Sequence, residues 1–200
     1  MYVIGLTGQI GSGKTTVANF LKAKGAIIIS ADSIGHSVLK RPEITEAVVK
    51  TFGADILTDN EVNRQKLAEK AFSSKEELEK LNRITWPPIV ETIKEELSVF
   101  SRTLPATEVV VIDAPLLLEA GLDEFTGMIV TVSATYEEQL ERLMAKGYSE
   151  DQAKARIKMR TSNEEMLKKS DYTISNNASL ETLEKAADEL WHFIKAQSAL

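Results

Sequence analysis

Tyr2-Val3-Ile4-Gly5-Leu6-Thr7 runs directly into Gly8-Gln9-Ile10-Gly11-Ser12-Gly13-Lys14-Thr15, and from Thr16 to Ala23 the pattern turns helical. A nearly unbroken apolar run reads as a strand buried on both faces, as in a parallel sheet covered by helices. The octapeptide matches G-x-x-x-x-G-K-[ST] in full and lies between a strand and a helix, the context this motif requires. Glycines at Gly8, Gly11 and Gly13 let the backbone curl and aim successive N–H groups inward. The helix N-terminus adds its partial positive charge. Lys14 is placed to reach β- and γ-phosphates, and Thr15 offers a hydroxyl to Mg²⁺. The alternative, a glycine-rich turn that binds nothing, has both motif and context against it.

Further apolar runs, rich in Ile and Val, follow at Ala26–Ser30, Glu108–Asp113 and Gly127–Val132, with a weaker one at Tyr172–Ser175. Helical patterns alternate with them. Thr135–Lys146 carries Tyr136, Leu140 and Leu143 on one face, a Thr135…Glu138 capping box before it and Gly147 as its stop. The last helix spaces Leu183, Ala187, Leu190 and Ile194 on one side. Alternating strand and helix means α/β. From about Pro42 to Arg102 the alternation breaks: helical signals and no strand, with a Ser74…Glu77 capping box and Pro87-Pro88 opening a helix through Ile89, Ile93, Leu97 and Phe100. A second interruption covers Gly147–Arg160. Both leave the end of the sheet where ligands usually bind.

Composition narrows the function classes. The 200 residues are 43% apolar and 27% charged, the usage of a globular chain. No Cys means no disulfide, no thiolate nucleophile and no Cys-bound zinc. With 24 basic and 30 acidic residues the net charge is −6, against a general nucleic-acid binder. Stretches such as Val109–Ile112 and Pro115–Leu118 fall far below the ~18–20 residues of a membrane span. The N-terminal residues lack a basic region and a cleavage site, so a cytoplasmic protein without membrane or nucleic-acid partners is expected.

Asp32 follows the second apolar run. It reads either as a carboxylate that accepts or orients the proton of an acceptor hydroxyl, or as the N-cap of a helix over Asp32–Lys40. Asp113 closes an apolar strand on an acid, as a Walker B aspartate does, and would hold Mg²⁺ through water. The alternative is an acid that merely ends the strand. Glu119, six residues on, either joins that site or is a surface acid. Between Arg142 and Arg160 stand six basic residues, Arg142, Lys146, Lys154, Arg156, Lys158 and Arg160, and two acids, Glu150 and Asp151. Such a segment suits a lid closing over phosphates, with Arg142 the foremost candidate. A solvated face with i,i+4 pairs fits Lys154 and Lys158 equally. Arg64 and Arg83 are candidates for an anionic acceptor. His36, His192 and Trp86 read better as packed or solvent-facing residues.

These motifs in this order resemble the dephospho-CoA kinase family over nearly the whole length. Shared features are Gly5-Leu6-Thr7-Gly8 into Gly11-Ser12-Gly13-Lys14-Thr15-Thr16-Val17-Ala18, then Ala31-Asp32, Phe52-Gly53, Arg64 with Leu67, and Pro115-Leu116-Leu117 with Glu119. Gln139, Arg142-Leu143-Met144, Arg156 and Ser170-Asp171 with Asn176 follow. The resemblance implies a three-layer P-loop fold: a five-stranded parallel sheet flanked by helices, an all-helical substrate insertion and a helical lid. The core is expected at residues 1–41, 104–141 and 171–200, the insertion at 42–103 and the lid at 142–170. It implies that ATP with Mg²⁺ phosphorylates the ribose 3′-hydroxyl of dephospho-CoA, giving coenzyme A and ADP. It further implies Asp32 as base, with Lys14 and Arg142 beside it in catalysis. Gly8, Gly11, Ser12, Gly13, Lys14, Thr15, Thr16, Arg142 and Asn176 would bind the nucleotide. Asp32, Arg64, Leu116, Leu117 and Glu119 would contact the acceptor, and Thr15 and Asp113 the metal.

Several positions depart from the family pattern. Trp86-Pro87 replaces His-Pro, Ser30 replaces the first acid of Asp-x-Asp, Lys146 a lid arginine, Arg160 a lid glutamine and Ser175 an aspartate. Two other functions stay open at this point. One is a related P-loop kinase with a different nucleotide or nucleoside acceptor, which an acceptor screen separates. The other is a non-catalytic nucleotide switch, in which Asp32→Ala would leave function intact. A monomer or small homo-oligomer is expected.

Overall fold

The computed structural model describes residues 1–158 and 163–198. In chain order, β1 (Tyr2–Gly8) leads through the glycine-rich loop to α1 (Lys14–Ala23), then β2 (Ile27–Ser30), α2 (Ala31–Val38) and α3 (Pro42–Phe52). A short hairpin of β3 (Leu57–Thr58) and β4 (Glu61–Val62) precedes α4 (Arg64–Ala71) and the long α5 (Lys75–Thr103). After these come β5 (Val109–Asp113), β6 (Met128–Ser133), α6 (Tyr136–Ala145), α7 (Glu150–Lys158), α8 (Asn163–Lys168), β7 (Tyr172–Ser175) and α9 (Leu180–Ser198). The chain divides into two compact units, Met1–Ile29 with Phe100–Leu200, and Ser30–Val99.

The first unit holds a five-stranded parallel sheet in the order β2-β5-β1-β6-β7 flanked by helices. The Ile/Val runs are its strands, buried as their composition requires. Ile4, Leu6, Val109, Val111, Val130 and Val132 form one core with Val17 and Leu21 of α1. Leu183, Ala187, Leu190 and Ile194 of α9 complete that core, as their spacing foretold. Register sets the site: Leu6 lies opposite Asp113, and Gly8 opposite Val132. The loop after β1 therefore leaves the sheet between the ends of β5 and β6.

Capping is only half as expected. Thr135 caps α6 by accepting from Glu138 N at 3.3 Å, but the Glu138 carboxylate bonds Arg142 at 2.7 Å rather than reaching back. Asn177 Oδ1 accepts from Thr135 N instead, at 2.8 Å. Gly147 does stop the helix, at φ 92° with Gly147 N bonded to Met144 O. The buried face of α6 differs from the one expected. Gln139 and Leu143 face inward, whereas Tyr136 is exposed.

The second unit packs Val48, Phe52, Ile56, Leu67 and Ala71 into its own core. It is not all helical. β3 and β4 pair antiparallel across Asp59-Asn60, both in the left-handed region at φ 51° and 64°. Asx residues tolerate that conformation, and two such residues in a row form the primed turn that matches strand twist. Two-residue strands are too short to show alternation in sequence. Pro87-Pro88 does not open a helix either: α5 runs unbroken through it. Proline fits helical φ but removes its N–H, so the carbonyls of Arg83 and Ile84 lose their i+4 donors. The turns on either side hold. Thr85 Oγ1 donates to Leu81 O at 3.0 Å and Thr92 Oγ1 to Pro88 O at 2.8 Å. Thr85, Ile93 and Leu97 are buried on either side of the prolines.

Candidate active site

The loop between β1 and α1 takes the shape its glycines permit. Gly11 and Gly13 are left-handed, at φ 77° and 96°. Each is also tightly enclosed. A Cβ on Gly11 would lie 2.9 Å from Gln139 O, and one on Gly13 would lie 2.2 Å from Asn176 Nδ2. Gly13 O accepts from Thr16 N at 2.9 Å and Val17 N at 3.2 Å, which starts α1. No side chain caps this helix. That leaves the amides of Lys14 and Thr15 as donors at a positive helix end, the arrangement that binds phosphate.

Lys14 lies at that mouth with its ammonium paired to Asp113 Oδ1. The side chains are 11% and 13% exposed, so both charges are largely withdrawn from water. Thr15, one residue on, is exposed and Thr16 half-buried. Ser12 is wholly buried, and among the described residues its hydroxyl has no hydrogen-bond partner.

Three side chains brace the loop. Arg142 donates to Gly11 O at 3.2 Å and to Asn176 O at 2.9 Å, and pairs with Glu138 at 2.7 Å. Asn176 Nδ2 donates to Ser12 O at 2.8 Å. Gln139 Nε2 donates to Gln9 Oε1 at 2.6 Å and to Ala134 O at 2.8 Å. Gln9 carries no sequence signal of its role. Gln139, one of the residues that carry the family resemblance, is a polar residue on the buried face of α6.

After β5, Leu116 is half-buried and Glu119 exposed, but Leu117 is wholly buried. A Cβ on Gly5 would lie 2.5 Å from Leu117 Cδ2. The Leu117 side chain therefore fills the space beside Gly5. Arg156 stacks over the Tyr148 ring at 4.5 Å. Lys154 pairs with Glu150 at 2.6 Å, the i,i+4 alternative for this segment, and Lys146 and Lys158 are exposed. Arg160 lies outside the described residues. His192 is exposed on α9 near Asp188. Asn177 Nδ2 donates to Ser175 Oγ at 2.9 Å.

In the helical unit, Asp32 is the second residue of α2 and exposed. It is not the N-cap. Ser30 caps the helix by accepting from Ser33 N at 3.3 Å, which leaves the Asp32 carboxylate out of that role. Ser30 thus has a structural use where the family pattern has an acid. Arg64 opens α4 behind its Asn63 cap, and its Nη1 lies 2.9 Å from His36 Nδ1. The two line a cavity of about 420 Å³ with Leu39, Lys40, Glu61 and Val62. Arg83 is exposed and Trp86 half-buried on α5.

Among the described residues no helix is long and apolar enough to cross a membrane. A family model described as dephospho-CoA kinase matches residues 2–182. The chain is 39% identical over 188 residues to the dephospho-CoA kinase of Fusobacterium nucleatum, covering 93% of this chain and 95% of that one. It is 41% identical over 194 residues to that of Corynebacterium efficiens, covering 95% and 96%. Among solved structures it resembles dephospho-CoA kinase from Campylobacter jejuni, with a TM-score of 0.64 at 25% identity and 96% of each chain covered. Shikimate kinase from Acinetobacter baumannii shares the fold, with a TM-score of 0.55 at 19% identity over 98% and 94%.

Proposed function

The chain belongs to the dephospho-CoA kinase family, and from that premise we propose how its own residues divide the work. The reaction is the ATP-dependent phosphorylation of dephospho-CoA in coenzyme A biosynthesis. The γ-phosphoryl group passes to the ribose 3′-hydroxyl, and coenzyme A and ADP leave. The backbone from Gly8 to Thr16 holds the phosphates, with the first amides of α1 as donors. Lys14 exchanges Asp113 for the β- and γ-phosphates. Arg142 spends three of its N–H contacts on Gly11, Asn176 and Glu138. A guanidinium has five N–H donors, so two remain for phosphate oxygens.

Asp32 takes the proton of the attacking hydroxyl, supported by a carboxylate that is exposed and not used for capping. The cavity beside His36, Lys40 and Arg64, with apolar Leu39 and Val62, suits an acceptor that is anionic along part of an extended chain. Leu116 and Glu119 add acceptor contacts. Among the described residues no cluster of three or more acidic or His side chains could hold a metal alone. Thr15 and Asp113 instead supply hard oxygens beside the phosphate loop, and would hold a Mg²⁺ ion that arrives with the nucleotide. When bound, that ion neutralises charge on the phosphoryl oxygens. The reading includes a cytoplasmic enzyme, monomeric or a small homo-oligomer.

The observation that carries the reading is the Lys14–Asp113 pair beside the uncapped start of α1. The test is ADP release with ATP and Mg²⁺, comparing dephospho-CoA with AMP, adenosine and no acceptor. Release only with dephospho-CoA, with coenzyme A as product, is expected. Release with another acceptor overturns the assignment of the acceptor.

A further inference from the structure

Asn176 stands at the end of β7 and is 164 residues from Ser12 in sequence, yet its amide bonds the Ser12 carbonyl at 2.8 Å. Its own backbone is held on both sides. Asn176 N donates to Ser133 O at 2.8 Å, and Asn176 O accepts from Arg142 Nη2 at 2.9 Å. The residue is 7% exposed, so the carboxamide is a fixed, buried group. Only its NH₂ can donate to a carbonyl, which settles the orientation of the amide.

The consequence follows from peptide geometry. Ser12 C=O and Gly13 N–H belong to one planar trans unit and point in opposite directions. A donor that holds the oxygen therefore aims the N–H the other way. Gly13 is left-handed and has no Cβ, so its own torsions restrain that plane weakly. We propose that Asn176 is a positioning residue for the phosphate loop: by holding Ser12 O it aims the Gly13 amide into the cradle, and it does so without touching the nucleotide. This rests on the loop's reading as the phosphate site and goes beyond it.

Inorganic tripolyphosphate separates this role from contact with the adenine or ribose. The variant is Asn176→Asp, which keeps the shape but puts a carboxylate oxygen where the donor was. Losing a buried donor and facing two acceptors together is expected to weaken tripolyphosphate and ATP by the same factor, about tenfold or more. Adenosine affinity should not change. A variant that binds tripolyphosphate normally but discriminates less between ATP and GTP overturns the proposal, because Asn176 then reads the base. Lys14→Ala is the control: if it leaves tripolyphosphate binding intact, the loop reading itself fails. Should Asn176→Asp not fold, amide NMR of the wild type decides. Tripolyphosphate should shift the Gly13 backbone amide and the Asn176 side-chain amide together, and an Asn176 signal that stays put overturns the proposal.

Discussion

Lys14 and Asp113, 99 residues apart in sequence, form an ion pair in which both side chains are nearly nine-tenths withdrawn from water. The strand register brings the two within reach. Asp113 lies opposite Leu6, and the loop carrying Lys14 turns back over that strand end. A charge withdrawn from water needs a partner, and in the chain alone the carboxylate is that partner. On the proposed reading, a triphosphate at the loop would displace it.

Asp113→Asn removes the anion that pairs with Lys14 and, on the proposed reading, one metal-binding oxygen with it. ATP should bind more tightly than to wild type in EDTA, while kcat with Mg²⁺ falls by about a hundredfold or more. Calorimetry in EDTA and steady-state kinetics with Mg²⁺ measure the two. Unchanged binding in EDTA would show that Asp113 does not restrain Lys14.

Asp32→Asn should lower kcat by roughly 10²–10⁴-fold, the usual contribution of a general base. The Kd for ATP should stay within about twofold, because on the proposed reading Asp32 deals with the acceptor. The cost to stability should stay below about 1 kcal/mol, the loss of one first-turn charge at the helix dipole, since Ser30 does the capping. A wild-type kcat would sink the assignment.

Arg64→Ala should raise KM for dephospho-CoA by about tenfold, the order of one charge-assisted contact, and leave KM for ATP alone. His36→Ala should act in the same direction more weakly. An equal effect on both substrates would mean that the cavity beside these residues does not hold the acceptor.

Gly5→Ala puts a Cβ 2.5 Å from Leu117 Cδ2 in a packed core. Overpacking of this kind costs about 1–3 kcal/mol. Leu117→Ala alone should cost about 2–5 kcal/mol by opening a cavity. The double variant should cost less than the sum, because the new methyl group enters the space vacated. Urea unfolding of all three variants gives the coupling, and strict additivity would remove the contact.

The hydrogen bond and charge of Lys24 hold the Asp188 carboxyl below its ordinary pKa, with a smaller contribution from His192. The pair ties α1 to α9. Its stabilisation is fully present above the unfolded carboxyl's pKa of about 3.9 and disappears as pH falls through the lower folded value. Melting curves of wild type and Asp188→Asn should therefore differ near neutral pH and converge in acid. A gap that widens in acid would reverse the sign.

The sequence by itself determined what depends on neighbours along the chain. A glycine needed at φ 77° or 96°, a lysine at a helix start and an Ile/Val run buried on both faces are all set within about ten residues. The loop, the five strands and the buried stripe of α9 were legible for that reason. The tertiary structure decided whatever needed partners distant in sequence. Asn176 reached Ser12, Lys14 took Asp113, and Leu117 turned inward because β1 has a glycine beside it. The hairpin at Asp59-Asn60 and the helix through Pro87-Pro88 pair residues near in sequence, yet were not legible either. Their local signals were weak or contrary, and packing of the helical unit outweighed them. Local geometry is written in spacing. Which side chains meet depends on strand order and register, and those are set by burial over the whole chain.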